Sequence, residues 1–197
     1  MTELSAETRE LLDRLEQTAA LPLEQAMALP AAIYNSDEIL ELERQNIFSH
    51  DWVCPGLAAD IPDPGDYLTF SIADQPVICM RGKDGEVRTL SNVCRHRMML
   101  LLQGRGNTRR IVCPYHAWTY DLEGGLVGAG QMKQSQGFDK ADYCLPEIRT
   151  EIWNGWIYIT LNPDAPSVAD ILAPLDELVA RYGLAGYVPL VHQDHVW

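Results

Sequence analysis

Two short segments near the middle of this chain each place a cysteine beside a histidine. One reads Cys94-Arg-His96 and the other Cys113-Pro-Tyr-His116, and residues 97–112 separate them. Short β-type runs bounded by turn residues surround both segments, so each segment is expected to form a loop at a strand end. Two thiolates and two imidazoles make a complete set of metal ligands, and the fold has to bring the two loops together.

The mixed composition of each segment leaves two kinds of metal site open. A structural zinc site with two cysteines and two histidines prefers both cysteines in one arm and both histidines in the other. A [2Fe–2S] cluster can divide its ligands by iron, with cysteines on one iron and histidines on the other, which suits mixed arms. The sequence favours the cluster and keeps a zinc-bound structural module as an alternative.

The remaining cysteines stand apart from these segments. The chain has five cysteines, an odd number at irregular spacing, which does not indicate a disulfide framework. All five are therefore expected to be thiols or metal ligands. For Cys54, Cys79 and Cys144 we expect small buried side chains without a metal.

The longer string Cys113-Pro-Tyr-His-Ala-Trp-Thr-Tyr-Asp121, together with Cys94-Arg-His96, resembles the Rieske domain of Rieske non-haem iron oxygenases of the aromatic ring-hydroxylating dioxygenase α-subunit type. The resemblance extends from about Phe48 to Leu161. The second ring nitrogen of each imidazole needs water or a partner, so both rings are expected at the exposed tip of the domain. The resemblance implies that a [2Fe–2S] cluster is bound by Cys94, His96, Cys113 and His116.

The same resemblance implies that the chain is the electron-transfer portion of a larger enzyme. A NAD(P)H-dependent reductase or ferredoxin would supply electrons. A mononuclear non-haem Fe(II) site, expected only in the full-length protein, would use them to hydroxylate or demethylate an aromatic or other small organic substrate. The full-length protein would be a homotrimer, with or without a β subunit, in which His116 contacts a neighbouring subunit. A free-standing Rieske-type ferredoxin is the competing interpretation.

No catalytic residue is expected in this chain, because the motif that holds the mononuclear iron in the resembled family is not found in it. His192-Gln-Asp-His195 contains suitable residue types at a spacing that does not match. In a strand, His192 and His195 would also face opposite sides. This segment is therefore a weak candidate for a metal site.

Several positions depart from other Rieske patterns. Met99 and Tyr115 occupy the places of the disulfide-forming cysteines of respiratory Rieske proteins, so that bridge cannot form. Trp118 occupies the position of a serine whose hydroxyl donates a hydrogen bond to the cluster in respiratory Rieske proteins. The loss of this hydrogen bond predicts a reduction potential toward the low side of the Rieske range. Met98 stands where oxygenase loops usually have glycine, a change that affects the local turn and not the ligands. The apolar run Met98–Leu102 is expected to cover the cluster and join the core.

The pattern of apolar and turn residues along the rest of the chain predicts an α+β protein that is mainly β at its centre. Residues 1–47 are expected to form a helical segment, with one helix ended by Pro22 and a second from Ser36 to about Phe48. Residues 48–162 are expected to form the small antiparallel β-domain that carries the four candidate ligands. Helical segments would therefore flank the β-domain on both sides.

The C-terminal part, residues 163–197, predicts a helix followed by a strand from Tyr187 to His192. The chain stops soon after this apolar run, and we interpret the segment as the start of a truncated catalytic domain. Just before it, Ile152–Thr160 is expected to form one strand.

Charge restricts the partners of the chain. It has 28 Asp and Glu against 15 Lys and Arg, a formal net charge of −13. Proteins that bind nucleic acids or membrane surfaces usually carry a basic stripe or face, so neither partner is expected. No apolar run approaches the roughly 20 residues of a membrane span, and the N-terminus is polar and acidic rather than a secretory signal. We therefore expect a cytoplasmic protein.

Overall fold

The computed structural model describes residues 4–130 and 132–191. These residues form two compact units, one ending at Ser49 and the other beginning at His50. A separate group of buried apolar side chains stabilises each unit. Within the described residues, no helix is both long enough and apolar enough to cross a membrane.

The N-terminal unit contains two α-helices, α1 (Ala6–Ala19) and α2 (Asp37–Glu43). Each begins after a serine whose hydroxyl accepts a hydrogen bond from a backbone N–H of the first turn, the usual cap of a helix N-terminus. The chain continues from α2 into one π-helical turn, Arg44–Phe48. Both predicted helices are present, and the second reaches its predicted end only by widening into this turn.

The side chain of Glu38 connects the two helices. Its carboxylate accepts a hydrogen bond from Ser5 Oγ at 2.7 Å and another from Thr8 Oγ1. These hydrogen bonds lower the pKa of Glu38. The small core of this unit consists of Leu11, Ile33 and Ile39.

The described part of the second unit contains ten short strands, and every pairing between them is antiparallel. They are β1 (Val53–Leu57), β2 (Asp66–Ile72), β3 (Gln75–Arg81), β4 (Val87–Ser91), β5 (Arg105–Asn107), β6 (Ile111–Val112), β7 (Thr119–Tyr120), β8 (Leu126–Gly128), β9 (Glu147–Trp153) and β10 (Trp156–Thr160). Seven strands form one sheet in the order β1-β10-β9-β4-β3-β2-β5, and three form a smaller sheet in the order β6-β7-β8. The antiparallel β-domain and the α+β class are confirmed.

Two tight hairpins set the register of the larger sheet. Ala73 and Asp74 connect β2 to β3 with φ of +45° and +64°, and Asn154 and Gly155 connect β9 to β10 with φ of +49° and +85°. Two-residue turns with both φ values positive match the right-handed twist of the strands they join. The prediction that Ile152–Thr160 forms one strand is therefore wrong, because Asn154 and Gly155 divide it.

One core cluster joins the two sheets beneath the candidate ligand loops. Strand β3 supplies Ile78 and Met80 to it, while Val77 and Cys79 of the same strand point to a second cluster on the opposite face. This alternation is the two-residue period of a β-strand. The smaller sheet supplies Ile111, Tyr120 and Leu126 to the first cluster.

The last described α-helix is α3 (Val168–Val179), which confirms the predicted C-terminal helix. The predicted strand from Tyr187 to His192 is wrong over its described part, because residues 187–191 form no strand. Apolar composition suggested burial there, but Leu190 is 92% exposed and the segment pairs with no other described strand. The candidate pair His192 and His195 lies outside the described residues.

Candidate metal centre

The first ligand segment folds into a tight loop closed by two backbone hydrogen bonds. The N–H of Met98 donates to the carbonyl of Cys94 at 3.0 Å, and the N–H of Cys94 donates to the carbonyl of Met99 at 2.9 Å. Met98 has φ of +54°, in the left-handed region that favours glycine. The turn is thus kept without the usual glycine, at the expense of backbone strain at Met98.

The second ligand segment repeats this backbone pattern. The N–H of Ala117 donates to the carbonyl of Cys113 at 3.0 Å, and the N–H of Cys113 donates to the carbonyl of Trp118 at 2.8 Å. Ala117 has φ of +55°. Histidine is the third residue of the first loop and the fourth of the second, yet both loops close in the same way around their cysteine.

Asn92 fixes the base of the first loop. Its buried side chain accepts a hydrogen bond from the N–H of Leu102 at 2.9 Å and donates one to the Leu102 carbonyl at 2.8 Å. Its own N–H donates to the carbonyl of Pro76 in β3 at 2.9 Å. Asn92 therefore attaches both ends of the loop to the larger sheet, a role that its sequence position next to the ligand segment does not reveal.

The two loops place their sulfur atoms inside the domain and their imidazoles outside. Cys94 is 0% exposed and Cys113 is 2% exposed, and their thiol groups are in hydrogen-bond contact. The rings of His96 and His116 are exposed, as predicted, with centroids 4.8 Å apart and planes inclined at 70°. The four side chains therefore divide into a buried sulfur pair and an exposed nitrogen pair.

This division distinguishes between the two kinds of metal site. A tetrahedral zinc ion needs four ligand atoms within about 2.0–2.3 Å of one point. Two separate pairs instead fit two irons that each take two protein ligands. The donor set therefore fits a [2Fe–2S] cluster better than zinc.

Two opposing influences act on the thiol of Cys113. Burial raises the pKa of its thiol, and the neighbouring sulfur of Cys94 raises it further. The backbone N–H groups of Tyr115 and His116 oppose this rise by donating hydrogen bonds to the Cys113 sulfur. Such donors stabilise negative charge on sulfur, so the loop's own backbone supports the form of Cys113 that binds a metal.

The environment of His96 favours the neutral imidazole. Desolvation lowers the pKa of His96, and positive charge on His116 and Arg97 lowers it further. A histidine has to be unprotonated on the nitrogen that binds a metal. The surroundings of His96 therefore favour its ligand form.

Comparison with known families identifies the segment that contains both loops. Residues 51–147 match the family described as the Rieske [2Fe-2S] domain. This segment is a Rieske [2Fe–2S] domain. The match confirms the cofactor class and the family resemblance that the sequence motifs indicated.

Relatives of this Rieske domain are oxygenase subunits. The chain is 38% identical to the glycine betaine monooxygenase oxygenase subunit of Chromohalobacter salexigens over 156 residues, 79% of this chain and 35% of the relative. It is 33% identical to the carnitine monooxygenase oxygenase subunit of Escherichia coli strain K12 over 153 residues, 77% of this chain and 41% of the relative. The chain therefore spans less than half the length of these relatives.

A solved structure extends the comparison to the fold. The crystal structure of naphthalene 1,2-dioxygenase from Rhodococcus sp. bound to indole matches with a TM-score of 0.78 and 35% sequence identity. The match covers 90% of this chain and 40% of that chain. At 35% sequence identity, the structural match supports both the fold and the family relationship of this chain.

Tyr120 contacts the first ligand loop from the smaller sheet, a contact that the sequence analysis did not predict. It is fully buried, and its hydroxyl accepts a hydrogen bond from the N–H of Arg95 at 3.0 Å. The same hydroxyl lies 3.4 Å from Cys94 Sγ. Burial, together with the adjacent Cys94, raises the pKa of Tyr120, so it stays protonated. Tyr120 therefore contributes a side-chain hydrogen-bonding group to the first ligand loop.

The expectation that the three isolated cysteines are buried is correct only for Cys79. Cys54 and Cys144 are exposed. Burial raises the pKa of Cys79 to about 11, so its thiol stays protonated. Cys54 lies in β1 and Cys144 lies in the loop before β9, and both side chains are at the surface rather than in the core.

The apolar run Met98–Leu102 divides into two parts. Leu101 is 6% exposed and belongs to the core cluster beneath the ligands. Met98 and Met99 are 74% and 41% exposed. The prediction that the whole run joins the core is therefore wrong for Met98 and Met99, because the closed loop places them at its exposed tip.

Proposed function

We propose that Cys94, His96, Cys113 and His116 hold the [2Fe–2S] cluster of this Rieske domain. The observation that carries the proposal is the division of the four side chains into a buried sulfur pair and an exposed imidazole pair. When bound, the cluster supplies one-electron redox chemistry.

The chain's own residues support this role in different ways. The core cluster around Cys94 and Cys113 excludes water from the sulfur side. Tyr120 and the backbone amides of the second loop supply hydrogen bonds to sulfur. The exposed rings of His96 and His116 leave an edge at the surface through which an electron can pass to a partner.

The proposed role of the whole protein is that of the oxygenase component of a Rieske mono- or dioxygenase. A NAD(P)H-dependent reductase or ferredoxin would deliver electrons to the cluster. A mononuclear non-haem iron site outside this chain would oxidise a small organic substrate, and His116 would lie at a contact between subunits of a homotrimer. The similarity to oxygenase subunits supports this proposal.

In this proposal, residues 1–47 and 163–197 belong with the catalytic domain, and residues 48–162 carry the cluster. The chain alone would accept electrons without inserting oxygen, because its proposed ligands serve only the cluster. A cytoplasmic location agrees with a partner that uses NAD(P)H. The relatives are named for three different small organic compounds, glycine betaine, carnitine and naphthalene.

Anaerobic reconstitution of the purified chain tests the cluster. With iron and sulfide supplied, we expect two irons and two acid-labile sulfides per chain, visible absorption, and an electron paramagnetic resonance (EPR) signal after reduction by dithionite. A colourless protein that binds one zinc and no sulfide under the same conditions would contradict the proposal.

Single substitutions test the ligand assignment. Cys94→Ser and Cys113→Ser are each expected to abolish the visible absorption, because serine oxygen is a poor replacement for thiolate on iron. Cys144→Ser is the matched control, since Cys144 is exposed and outside the loops. If Cys144→Ser lost the cluster and Cys94→Ser kept it, the assignment of the ligands would be wrong.

A further inference from the structure

The two exposed imidazoles have different aromatic neighbours. The ring of His96 is stacked on the indole of Trp118, with centroids 4.8 Å apart and planes inclined at 8°. The ring of His116 instead lies against Tyr115, with centroids 3.8 Å apart and planes inclined at 33°. Tyr115 is 55% exposed, whereas Trp118 is 2% exposed. Only His96 therefore rests on a buried aromatic side chain.

Other aromatic rings hold Trp118 in place. Its indole makes edge contacts with Phe138 at 5.7 Å and with Tyr143 at 5.5 Å, with planes inclined at 66° and 84°. Phe138 and Tyr143 also contact each other at 4.9 Å. A buried ring between these contacts has little freedom to rotate. The surface that Trp118 presents to His96 is therefore fixed by the core.

We propose that Trp118 is a positioning residue for His96, and that its indole face fixes the plane of this imidazole and lowers the reduction potential of the cluster. The proposal rests on the assignment of His96 as a ligand. The face of an aromatic ring carries partial negative charge and attracts positive charge. A metal-bound imidazole is more positive when the cluster is oxidised, so the indole stabilises the oxidised state.

The size of the effect follows from the strength of such contacts. A cation over an aromatic face near a protein surface is favoured by about two- to fivefold, and tryptophan attracts cations more strongly than tyrosine or phenylalanine does. Loss of the indole would then change the ratio of oxidised to reduced protein by about two- to fivefold at a fixed potential. At 59 mV per tenfold change for one electron, this corresponds to a rise of about 20–40 mV.

Three variants separate positioning from packing. Trp118→Leu removes the ring, and Trp118→Phe keeps a weaker aromatic face. Phe138→Leu is the matched control, because Phe138 belongs to the same aromatic group and its ring stacks on neither proposed histidine ligand. All three are loaded with cluster, and the reduction potential and the EPR g values are measured.

We expect the potential to rise slightly in Trp118→Phe and more in Trp118→Leu, with shifted g values in Trp118→Leu. In Phe138→Leu, which loses one ring contact that holds Trp118 but keeps the indole face, we expect a smaller rise than in Trp118→Leu. Equal potentials in Trp118→Leu and wild type, or an equal rise in Phe138→Leu, would overturn the inference. If Trp118→Leu does not load, Trp118→Phe decides alone, and an unchanged potential and spectrum then overturn it. A wild-type chain that binds no cluster would instead contradict the proposed function itself.

Discussion

The loop that begins at Cys94 and the loop that begins at Cys113 close through the same two backbone hydrogen bonds, and each passes through a residue with φ of +54° or +55°. Their sequences differ in the distance from cysteine to histidine and in the residue that takes the left-handed conformation. The hydrogen bonds are made around the cysteine in both loops. The histidine position can therefore vary by one residue without changing how the loop closes.

The surroundings of the two loops differ more than their backbones. Side chains from other parts of the domain support the first loop: Asn92 at its base, Tyr120 beneath Cys94, and Trp118 beneath His96. The second loop supplies its own hydrogen bonds to sulfur through backbone amides. The first loop therefore depends on tertiary contacts, and the second depends more on its own local conformation.

The largest effects are expected where each loop rests on the core. Leu101 is 6% exposed and follows the first loop, and Ile111 is 0% exposed and precedes the second. Replacing either by alanine should lower the free energy of unfolding by about 2–5 kcal/mol, because it leaves a cavity in a packed core. Urea unfolding followed by tryptophan fluorescence measures this in the unit after Ser49, since every tryptophan lies at or beyond Trp52.

The exposed neighbours Met99 and Val112 provide controls for the two core positions, at 41% and 48% exposed. Their replacement by alanine should change the free energy of unfolding by no more than about 0.5 kcal/mol. A small effect for Leu101→Ala beside a large effect for Ile111→Ala would show that only the second loop is anchored in the core.

An intermediate effect is expected at Tyr120, which distinguishes the two loops. Tyr120→Phe removes the hydroxyl that accepts from Arg95 N–H and leaves that amide without its partner. Leaving a partly buried donor unsatisfied should lower the free energy of unfolding by about 1–3 kcal/mol. Hydrogen exchange should accelerate at the amide of Arg95 and stay unchanged at the amide of His116.

Tyr143→Phe is the control for this substitution, because Tyr143 contacts the same aromatic group and makes its described contacts through the ring. It should leave the free energy of unfolding and both exchange rates close to their wild-type values. Faster exchange at His116 as well as Arg95 in Tyr120→Phe would mean that the two loops open together, contrary to the separate support described above.

The features that could be predicted from sequence are those encoded in short stretches of chain. Mixed cysteine and histidine spacing indicated the cluster, and short β-type runs bounded by turn residues indicated the β-domain. The hairpin at Asn154 and Gly155 was hidden inside an apolar run, so a pair of strands resembled one. The strand expected after Tyr187 failed because strand formation needs a pairing partner, which composition does not supply.

The supporting residues of the site could not be predicted in the same way. Tyr120 reaches Arg95 across 25 residues, and Asn92 reaches Leu102 across 10. The first contact joins the smaller sheet to the first ligand loop, the second spans that loop, and neither residue is one of the four proposed ligands. The same holds for the stack of Trp118 on His96, since a tryptophan in a β-rich segment usually has only a core role.

The smallest effect concerns the feature that the two loops share. Met98 and Ala117 both adopt positive φ, which costs a non-glycine residue about 1–2 kcal/mol, whereas glycine adopts it freely. Glycine also gains more freedom in the unfolded chain, worth roughly 0.5–1 kcal/mol. Met98→Gly and Ala117→Gly are therefore each expected to raise the free energy of unfolding by about 0.5–1 kcal/mol in urea unfolding of the metal-free chain.

Met99→Gly is the control for these two glycine variants, because Met99 has no positive φ to relieve. It should lower the free energy of unfolding by about 0.5–1 kcal/mol, because only the greater freedom of glycine in the unfolded chain then acts. Equal gains at positions 98 and 117 would show that the shared backbone is equally strained in both loops. If Met98→Gly lowered the free energy of unfolding while Ala117→Gly raised it, the exposed thioether of Met98 would make a stabilising contact in the first loop. The two turns would then not be equivalent.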